Sequence, residues 1–220
     1  MKRILLPFGW IYNLATRLRN HLYDTGYRPS FRFSGVFTVS VGNLNMGGSG
    51  KTPVTEYLIR LLSGSWLVAS LSRGYGRTTS GFRLLNDSDT ARTAGDEPFQ
   101  IHRKFGGRVT VAVSEDRSLA IPELLNLDTP PQVVIMDDAF QHRKVIPDLN
   151  ILLTRFAEPF FSDRIFPAGW LREARTGARR ADVILFTKCP DTLSQASQLD
   201  LISKVKQYAG MVPVFFTRYF

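Results

Sequence analysis

Short apolar runs recur along most of the chain, and segments of helical length separate them. Many of these runs are rich in Val and Ile, as the buried strands of parallel sheets are. They lie at residues 35–41, 66–71, 108–113, 132–136, 149–154, 183–187 and 212–217. The pattern predicts an α/β fold, a mostly parallel sheet of the P-loop NTPase type with helices on both faces.

The first 32 residues have a different pattern, with apolar side chains at helical rather than strand spacing. The spacing predicts an amphipathic helix that begins near Pro7 and carries the apolar positions Ile11, Leu14, Ala15, Leu18 and Leu22, with Phe8, Trp10 and Tyr12 near its start. Its longest apolar stretch is too short to span a bilayer. The remaining residues, 33–220, are expected to form the core domain.

Charge leaves more than one interpretation of this helix open. Residues 1–32 contain six basic side chains and one acidic one. Apolar and arginine side chains together suit a helix that lies in a membrane interface. A helix that packs its apolar stripe on the domain core explains the pattern equally well. A cleaved secretory signal is a third interpretation, but no small-residue cleavage site follows.

The composition adds a bias towards anionic partners. Lys and Arg number 28 against 19 acidic residues, a formal net charge of +9. Nucleic acid, anionic lipid and phosphorylated small molecules are all compatible with that excess. The single cysteine, Cys189, excludes a disulfide framework and a Cys-rich metal site, and it favours a reducing compartment.

The glycine-rich stretch at residues 42–53, GNLNMGGSGKTP, lies between the first apolar run and a helical pattern at 54–62. A glycine-rich turn between a strand and a helix can bind phosphate, because backbone N–H groups and the helix N-terminus point at the anion. We expect Lys51 to reach the β- and γ-phosphates and Thr52 to offer its hydroxyl to Mg²⁺. The predicted nucleotide-binding residues are Gly47, Gly48, Ser49, Gly50, Lys51, Thr52, Pro53 and Val54.

One position departs from the strict G-x-x-x-x-G-K-T pattern of such loops. Asn45 stands where the pattern has its first glycine. Because asparagine tolerates the left-handed backbone region better than most residues, we expect the loop to form nevertheless.

Acidic residues follow another of the apolar runs. The run at 132–136 ends in Asp137 and Asp138, as in a Walker-B element, whose carboxylate holds Mg²⁺ opposite the loop threonine. An innocent acidic turn is the alternative. Asp138 or His142 could instead serve a substrate hydroxyl.

Further segments combine charge with glycine or aromatic residues. Residues 72–77, SRGYGR, suit a loop around an anionic or sugar-like ligand, or an exposed turn. Asp96 and Glu97 open a helical pattern. Capping and the helix dipole explain acidic residues at this position as well as a functional role does. Aromatic and arginine residues alternate at 156–180, which suits a lipid headgroup, nucleic acid or a solvated basic face.

Residues 187–190, TKCP, end an apolar run where GTPase-like proteins carry Asn/Thr-Lys-x-Asp. The aspartate that selects guanine is replaced by Pro190, and Asp191 comes one residue late. The segment therefore favours ATP over GTP.

Taken together, the segments GNLNMGGSGKTP, SRGYGR, GDEP, MDDAFQH, FPAGWLREA and FTKCP occur in one order that resembles the tetraacyldisaccharide 4′-kinase family, the lipid A kinases of Gram-negative bacteria. The resemblance implies phosphoryl transfer from ATP and Mg²⁺ to the 4′-hydroxyl of an acylated glucosamine disaccharide 1-phosphate. It implies a peripheral location on the cytoplasmic face of the inner membrane. It selects this anionic lipid, rather than nucleic acid, as the partner.

The resemblance also assigns roles to residues. Asp96 becomes the candidate general base on the sugar hydroxyl, and Asp138 and Glu173 are expected near the metal or the transferred group. The implied metal ligands are Thr52, Asp138 and Glu173, and the implied substrate-binding residues are Arg73, Tyr75, Gln141, His142 and Arg172. Ala139 stands where the family's usual residue is glycine. Family members are longer, and Phe220 falls about where their smaller C-terminal domain begins.

Two other classes of protein share this loop architecture. A nucleotide-dependent switch or metallochaperone would carry Cys/His clusters for a metal, and one Cys with three His argues against it. A nucleic-acid-binding ATPase would use the net positive charge, and it predicts turnover that nucleic acid stimulates.

Overall fold

The apolar runs of the sequence become parallel strands, and the glycine-rich loop connects the first of them to a helix. The computed structural model describes residues 6–218. The strands are β1 (Phe37–Asn43), β2 (Val68–Ser72), β3 (Arg83–Leu84), β4 (Thr110–Val113), β5 (Val133–Asp137), β6 (Leu149–Arg155), β7 (Val183–Thr187) and β8 (Val214–Phe216). The α-helices are α1 (Leu6–Asp24), α2 (Lys51–Leu62), α3 (Ala91–Ala94), α4 (Asp96–Phe105), α5 (Arg117–Leu125) and α6 (Gln195–Ala209). Two 3₁₀ helices lie at Phe160–Ser162 and Arg175–Arg180.

The chain divides into two compact units. The central unit comprises Ser30–Val41 and Lys51–Asp148. The terminal unit comprises Met1–Pro29, Gly42–Gly50 and Leu149–Phe220. The division falls between Gly50 and Lys51, so the glycines of the loop belong to one unit and the helix that follows belongs to the other.

In the central unit the strand order is β3-β4-β2-β5-β1. Each pair is parallel except β3 with β4, which is antiparallel. Parallel pairing fits strands that are buried along their whole length, as every residue of β2 and β5 is. The prediction of a mostly parallel α/β sheet is therefore confirmed. The short antiparallel strand β3 lies in the polar segment at residues 78–92, which follows the SRGYGR loop.

The core of the central unit is aliphatic and includes residues from strands and from α5. Side chains with no more than 1% of their surface exposed include Leu71, Ala112, Ile121, Leu124 and Met136. The remaining helices bury one face each, with Val54 and Ile59 of α2 and Ile101 and Phe105 of α4 turned inwards. Burial of these faces fixes the start of α2, and with it Lys51 and Thr52.

In the terminal unit the strands β6, β7 and β8 pair in parallel, in that order. Helix α6 buries Leu201, Val205 and Ala209. The core of this unit is more aromatic. Phe186 stacks on Phe216 with ring centroids 5.1 Å apart, and Phe160 meets Tyr208 edge-on at 6.0 Å. Such aromatic pairs add to the free energy gained from burial alone.

Helix α1 has the predicted amphipathic pattern, but its apolar stripe faces outwards. Ile11, Leu14 and Leu18 are 68%, 69% and 58% exposed. The opposite face bonds to residues 172 and 173 of the same unit. The Tyr12 hydroxyl donates to the Arg172 carbonyl at 2.9 Å, and Asn20 Nδ2 donates to Glu173 Oε2 at 2.7 Å. The structure thus does not show the stripe packed on a core. No helix in the described range 6–218 has the length and hydropathy to cross a membrane.

Candidate functional site

The glycine-rich loop adopts backbone conformations that require glycine at two positions. Gly47 and Gly50 have φ angles of 109° and 81°, where a β-carbon would be strained. The Ser49 N–H donates to the Gly47 carbonyl at 3.0 Å. The Ser49 side chain is buried, and within the described part of the chain its hydroxyl has no hydrogen-bond partner. A buried hydroxyl of this kind fits a loop that binds a polar ligand.

Asn45 supports the loop in a way that differs from the sequence-based expectation. It is absent from the described non-glycine residues with positive φ, which are Asp138 and Lys188, so left-handed tolerance is not what it contributes. Instead its Nδ2 donates to Asp163 Oδ2 at 2.8 Å, and its carbonyl accepts from Asn43 Nδ2 at 2.6 Å. The side-chain amide therefore ties the start of the loop to residue 163 of the same unit.

In the central unit the loop lysine lies beside the second of the predicted acids. Lys51 Nζ is 3.6 Å from Asp138 Oδ1, and the Lys51 side chain is only 11% exposed. Asp138 has φ 46°, a left-handed conformation that aspartate tolerates better than most residues. The turn therefore places its left-handed residue at 138 rather than at Ala139, so a β-carbon at 139 meets no conformational penalty.

The loop threonine meets an acid that the sequence analysis had explained by helix capping. Thr52 Oγ1 donates to Glu97 Oε1 at 3.2 Å. One turn further along α2, Thr55 Oγ1 donates to Asp137 Oδ1 at 3.3 Å. Glu97 and Asp137 are thus candidate site residues that were not among the predicted ligands. The signal for Glu97 was its place in the GDEP segment, next to the predicted base Asp96.

These carboxylates carry more negative charge than their surroundings balance. Burial, the largest cause, and the charges of Glu97 and Asp138 together raise the pKa of Asp137 to about 7. Lys51 and the Asp138 backbone N–H act in the opposite direction. Since a nearby cation would favour the ionised form, this cluster of acids is electrostatically suited to a positively charged ligand.

The donor set also fits Mg²⁺ in particular. Magnesium prefers oxygen ligands and is bound through one or two carboxylates together with substrate phosphates and water. Thr52, Glu97, Asp137 and Asp138 offer hydroxyl and carboxylate oxygens of that kind. Among residues 6–218 there is no group of three or more His, Cys, Asp or Glu side chains that could hold a metal by protein ligands alone.

Two glycines bring the SRGYGR loop against the start of α4. A β-carbon on Gly74 would lie 2.7 Å from the Ala94 carbonyl oxygen, and one on Gly95 would lie 3.0 Å from the Tyr75 carbonyl oxygen. Both glycines have positive φ, 68° and 95°. This backbone-to-backbone approach puts the loop that carries Arg73 and Tyr75 beside the N-terminus that carries Asp96. Arg73, Tyr75 and Asp96 are all exposed and can meet a ligand.

The last arginine of the same loop has a structural role. Arg77 Nη2 donates to Glu115 and to the Gly81 carbonyl, and the Arg77 side chain is only 2% exposed. The loop is therefore held by Arg77, while the exposed residues before it remain accessible.

His142, predicted to bind substrate, contacts the start of α5. Its Nε2 accepts from the Arg117 N–H at 3.2 Å and is 3.4 Å from Asp116 Oδ1. Gln141 precedes it in the turn after β5 and is half-buried.

Arg117 was not singled out from the sequence. Burial lowers the pKa of this arginine, the charge of Asp138 opposes that shift, and Arg117 Nη2 donates to the Asp137 carbonyl at 3.3 Å.

The predicted residues Arg172 and Glu173 lie in the terminal unit. Glu173 is buried, and its carboxylate accepts from Arg180 Nη2 at 2.7 Å and Nη1 at 3.0 Å as well as from Asn20. A β-carbon on Gly177 would come within 2.9 Å of Glu173 Oε2, so glycine makes room for the pair. The Arg172 N–H donates to the Leu44 carbonyl at 2.7 Å. Whether Glu173 also serves a metal stays a prediction.

A parallel sheet, a glycine-rich loop that runs into a Lys-Thr helix start, and a neighbouring strand that ends in acids define a P-loop nucleotide-binding α/β protein. Comparison with known families specifies the class further. The family model for LpxK, tetraacyldisaccharide-1-P 4′-kinase, matches residues 1–214. The chain belongs to this family, as its motifs indicated.

Individual relatives agree with this result. The chain is 45% identical over 217 residues to the tetraacyldisaccharide 4′-kinase of Flavobacterium johnsoniae, an alignment of 99% of this chain and 63% of the relative. It is 48% identical over 190 residues to that of Bacteroides thetaiotaomicron, covering 86% and 50%. The chain thus spans about half to two thirds of the length of these curated relatives.

A solved structure has the same fold. The crystal structure of LpxK from Aquifex aeolicus in complex with ATP is 31% identical in sequence and superposes with a TM-score of 0.76. The match covers 99% of this chain and 81% of that one.

Proposed function

We propose that the chain binds ATP with Mg²⁺ and transfers the γ-phosphoryl group to the 4′-hydroxyl of a tetraacyldisaccharide 1-phosphate. The observation that carries this proposal is the meeting of Lys51 with Asp138 and of Thr52 with Glu97, in a member of the LpxK family. Phosphoryl transfer depends mainly on positioning and on charge neutralisation. The loop and its acids offer both.

The nucleotide would be held mainly by the loop. Backbone N–H groups of Gly47, Gly48, Ser49 and Gly50 and the N-terminus of α2, with Pro53 and Val54 in its first turn, suit an anionic phosphate chain. Lys51 would place its ammonium on the β- and γ-phosphates, which replace Asp138 as its main anionic neighbour. The buried, unpartnered Ser49 hydroxyl supports a polar ligand at this loop.

Thr52 and Asp138 are the residues that we propose as Mg²⁺ ligands, and Glu97 and Asp137 join them on the geometry described above. When bound, Mg²⁺ would neutralise charge on the phosphate oxygens. The raised pKa of Asp137 supports this assignment, because a cation would return that carboxyl to its ionised form. Glu173 is retained as a proposed ligand from the family pattern, although Arg180 already pairs with its carboxylate.

Asp96 is the proposed general base. A carboxylate oxygen of Asp96 would accept the proton of the sugar hydroxyl while that hydroxyl attacks the phosphorus atom. Arg73 and Tyr75, on the loop packed against this helix start, would orient the disaccharide, and Gln141, His142 and Arg172 are proposed as further substrate contacts. The exposure of Asp96, Arg73 and Tyr75 supports access by a large acceptor.

The test is product formation. Incubation of the chain with ATP, Mg²⁺ and an acylated disaccharide 1-phosphate is expected to yield a new phosphomonoester. Asp96→Asn is expected to reduce kcat about a thousandfold or more, since it removes the base. Asp128→Asn, at an exposed position outside the site, is the matched control and should retain the wild-type rate. A wild-type rate in Asp96→Asn would remove Asp96 as the base, and no product from the wild-type chain would refute kinase activity of this chain.

We further propose that α1 lies in the cytoplasmic interface of the inner membrane. The outward stripe of Ile11, Leu14 and Leu18 supports apolar burial there, and Arg17, also exposed, supports attraction to anionic lipid. The triple substitution of the stripe by glutamine should weaken co-sedimentation with anionic vesicles about tenfold or more. Leu119→Gln, at an equally exposed leucine on α5, is the control. Unchanged co-sedimentation of the triple variant would contradict the proposal.

A further inference from the structure

The TKCP segment at the end of β7 contacts the phosphate loop. Thr187 is fully buried, and its Oγ1 donates to the Ser49 carbonyl at 2.8 Å. Lys188 Nζ donates to the Gly48 carbonyl at 3.1 Å. Two consecutive residues of one segment therefore bind two consecutive carbonyls of the loop. In the sequence this segment was informative only about base selectivity, and the site described above makes no use of it.

The backbone of Lys188 is unusual for a residue with a long side chain. Its φ is 56°, in the left-handed region, which is costly for any residue with a β-carbon. Strained conformations of this kind persist where the surrounding structure needs them, and they cluster at functional sites. The side chain is exposed, so burial of its stem does not explain the conformation. From this conformation the Lys188 ammonium reaches the Gly48 carbonyl.

Binding a carbonyl fixes the amide on the other side of the same peptide plane. In a trans peptide the C=O of one residue and the N–H of the next point in opposite directions. Holding the Gly48 carbonyl therefore orients the Ser49 N–H, and holding the Ser49 carbonyl orients the Gly50 N–H. The Gly50 N–H is thereby presented on the side opposite to these carbonyls, where an anion would lie, while the Ser49 N–H donates to the Gly47 carbonyl and fixes the turn of the loop. Flexible glycines flank these peptides, so the loop needs such support.

We propose that Thr187 and Lys188 are positioning residues that hold the phosphate loop in its anion-binding conformation before nucleotide arrives. The inference rests on the proposed binding of ATP, which it deepens. Neither residue has to touch the nucleotide, since both act through the loop carbonyls. The benefit is preorganisation, because ordering the glycines in advance removes part of the entropy cost of binding.

Substitutions at Lys188 can separate loop support from general stability. Lys188→Met keeps the length of the side chain but removes its donor, and we expect the Kd for MgATP to rise about five- to tenfold. Lys188→Gly also removes the donor but relieves the left-handed strain, so binding should weaken while the unfolding temperature of the ligand-free chain stays the same or rises. Lys188→Arg retains a donor and should bind within about twofold of wild type. Lys204→Met, on the exposed face of α6, is the control and should change neither quantity.

Amide hydrogen exchange in the ligand-free chain provides a second measurement that does not depend on nucleotide. The amides of residues 47–51 should exchange faster in Lys188→Met and in Thr187→Val than in wild type, and Thr187→Ser should restore the wild-type rate. Unchanged exchange in both variants would overturn the inference, even if binding weakened, because the charge alone would then explain the loss. If wild type binds no ATP while the exchange differences persist, the proposed function fails and the loop support stands.

Discussion

Two carboxylates of the central unit, Asp116 and Asp137, follow strands of the same sheet but have opposite electrostatic surroundings. Asp116 comes after β4 and caps α5, and its pKa is lowered to about 2. Asp137 ends β5, and its pKa is raised to about 7. Both residues have unfolded-state pKa values near 3.8, so folding shifts the two in different directions. The comparison separates a carboxylate with a structural role from one at the proposed ligand site.

Asp116 has all the partners that an ionised carboxylate needs. Partial burial raises its pKa, but the hydrogen bonds from Lys144 and Ser118 and the charge of Lys144 outweigh that effect. Its Oδ1 accepts from the Ser118 N–H at 3.1 Å and from the Ser118 hydroxyl at 2.6 Å, and Lys144 forms an ion pair with Oδ2. The helix end and the lysine are thus stabilised within the protein.

Asp137 has fewer favourable partners and worse neighbours. It is 1% exposed, it receives the Thr55 hydroxyl at 3.3 Å, and the charges of Glu97 and Asp138 disfavour its ionised form. Lys51 is the cation that opposes this effect. Such perturbed groups are concentrated at functional sites, where burial and like charges are brought together. The candidate site is therefore distinguished by a buried carboxylate whose charge its neighbours do not compensate, and not by the presence of an acidic residue as such.

Among the substitutions that test this comparison, Lys51→Met has the largest expected effect, because it removes the cation that lowers the pKa of Asp137. We expect phosphoryl transfer to fall by about a thousandfold, because the lysine neutralises developing charge on the phosphates. Steady-state kinetics with the acylated disaccharide would measure the loss. Lys144→Met is the control, since it removes the cation from Asp116 instead, and it should change kcat by less than about threefold. Equal effects of the two substitutions would contradict the distinction between the two carboxylates.

The second prediction is that Asp137→Asn stabilises the ligand-free chain at high pH. In wild type the unfolded aspartate ionises near pH 4 while the folded one stays protonated, so stability is full below pH 4 and declines until pH passes about 7. Above that pH the raised pKa lowers the free energy of unfolding by about 4 kcal/mol, since folding takes this pKa from 3.8 to about 7. Asparagine removes this loss, so the variant should be more stable than wild type at pH 8.5.

Urea unfolding of both proteins at pH 5 and at pH 8.5, without nucleotide, would measure this difference. The stabilisation should be larger at pH 8.5, and MgATP should stabilise the wild type more than the variant. A variant that is less stable than wild type at pH 8.5 would mean that Asp137 already has an adequate counter-charge.

Features set by local sequence were predictable. The apolar runs located β1, β2, β4, β5, β6, β7 and β8 to within about two residues, since buried parallel strands need continuous apolar stretches. The glycine-lysine-threonine segment located the loop and the start of α2, because the sequence pattern of such a loop is continuous along the chain. The N-cap of α5 is likewise local, because the Asp116 side chain accepts from the Ser118 N–H two positions along. Each of these features depends on neighbours in the sequence.

Features set by distant partners were not predictable. Glu97 meets Thr52 across 45 positions, and a carboxylate in a first helical turn has an equally good local explanation. Asn45 is held by Asp163, 118 positions away, so a local argument about its backbone was wrong. Periodicity predicted that α1 is amphipathic, but which face points outwards depends on distant contacts, among them the hydrogen bonds of Tyr12 and Asn20. Composition and residue spacing carry no information about contacts between residues so far apart in the sequence.

The smallest expected effect is that of Asp116→Ala, which tests the other side of the comparison. The lowered pKa means that Asp116 stabilises the fold above pH 4, and that this contribution disappears as pH falls through about 2. Asp116→Ala removes this contribution and the N-cap. Allowing for partial exposure of the side chain, we expect it to lower the free energy of unfolding at pH 7 by about 1–2 kcal/mol.

Asp116→Asn separates the two contributions, because asparagine still caps a helix but has no charge to pair with Lys144. We expect it to lose about half as much stability as alanine, as measured by urea unfolding at pH 7. Repeating the measurement near pH 2 should bring wild type and Asp116→Asn nearly together, since about half of the folded wild-type carboxylate is then protonated and most of its electrostatic contribution to stability is lost. If the gap between them persisted at that pH, the charge of Asp116 would not be the source of its stabilisation, and the electrostatic contrast with Asp137 would fail.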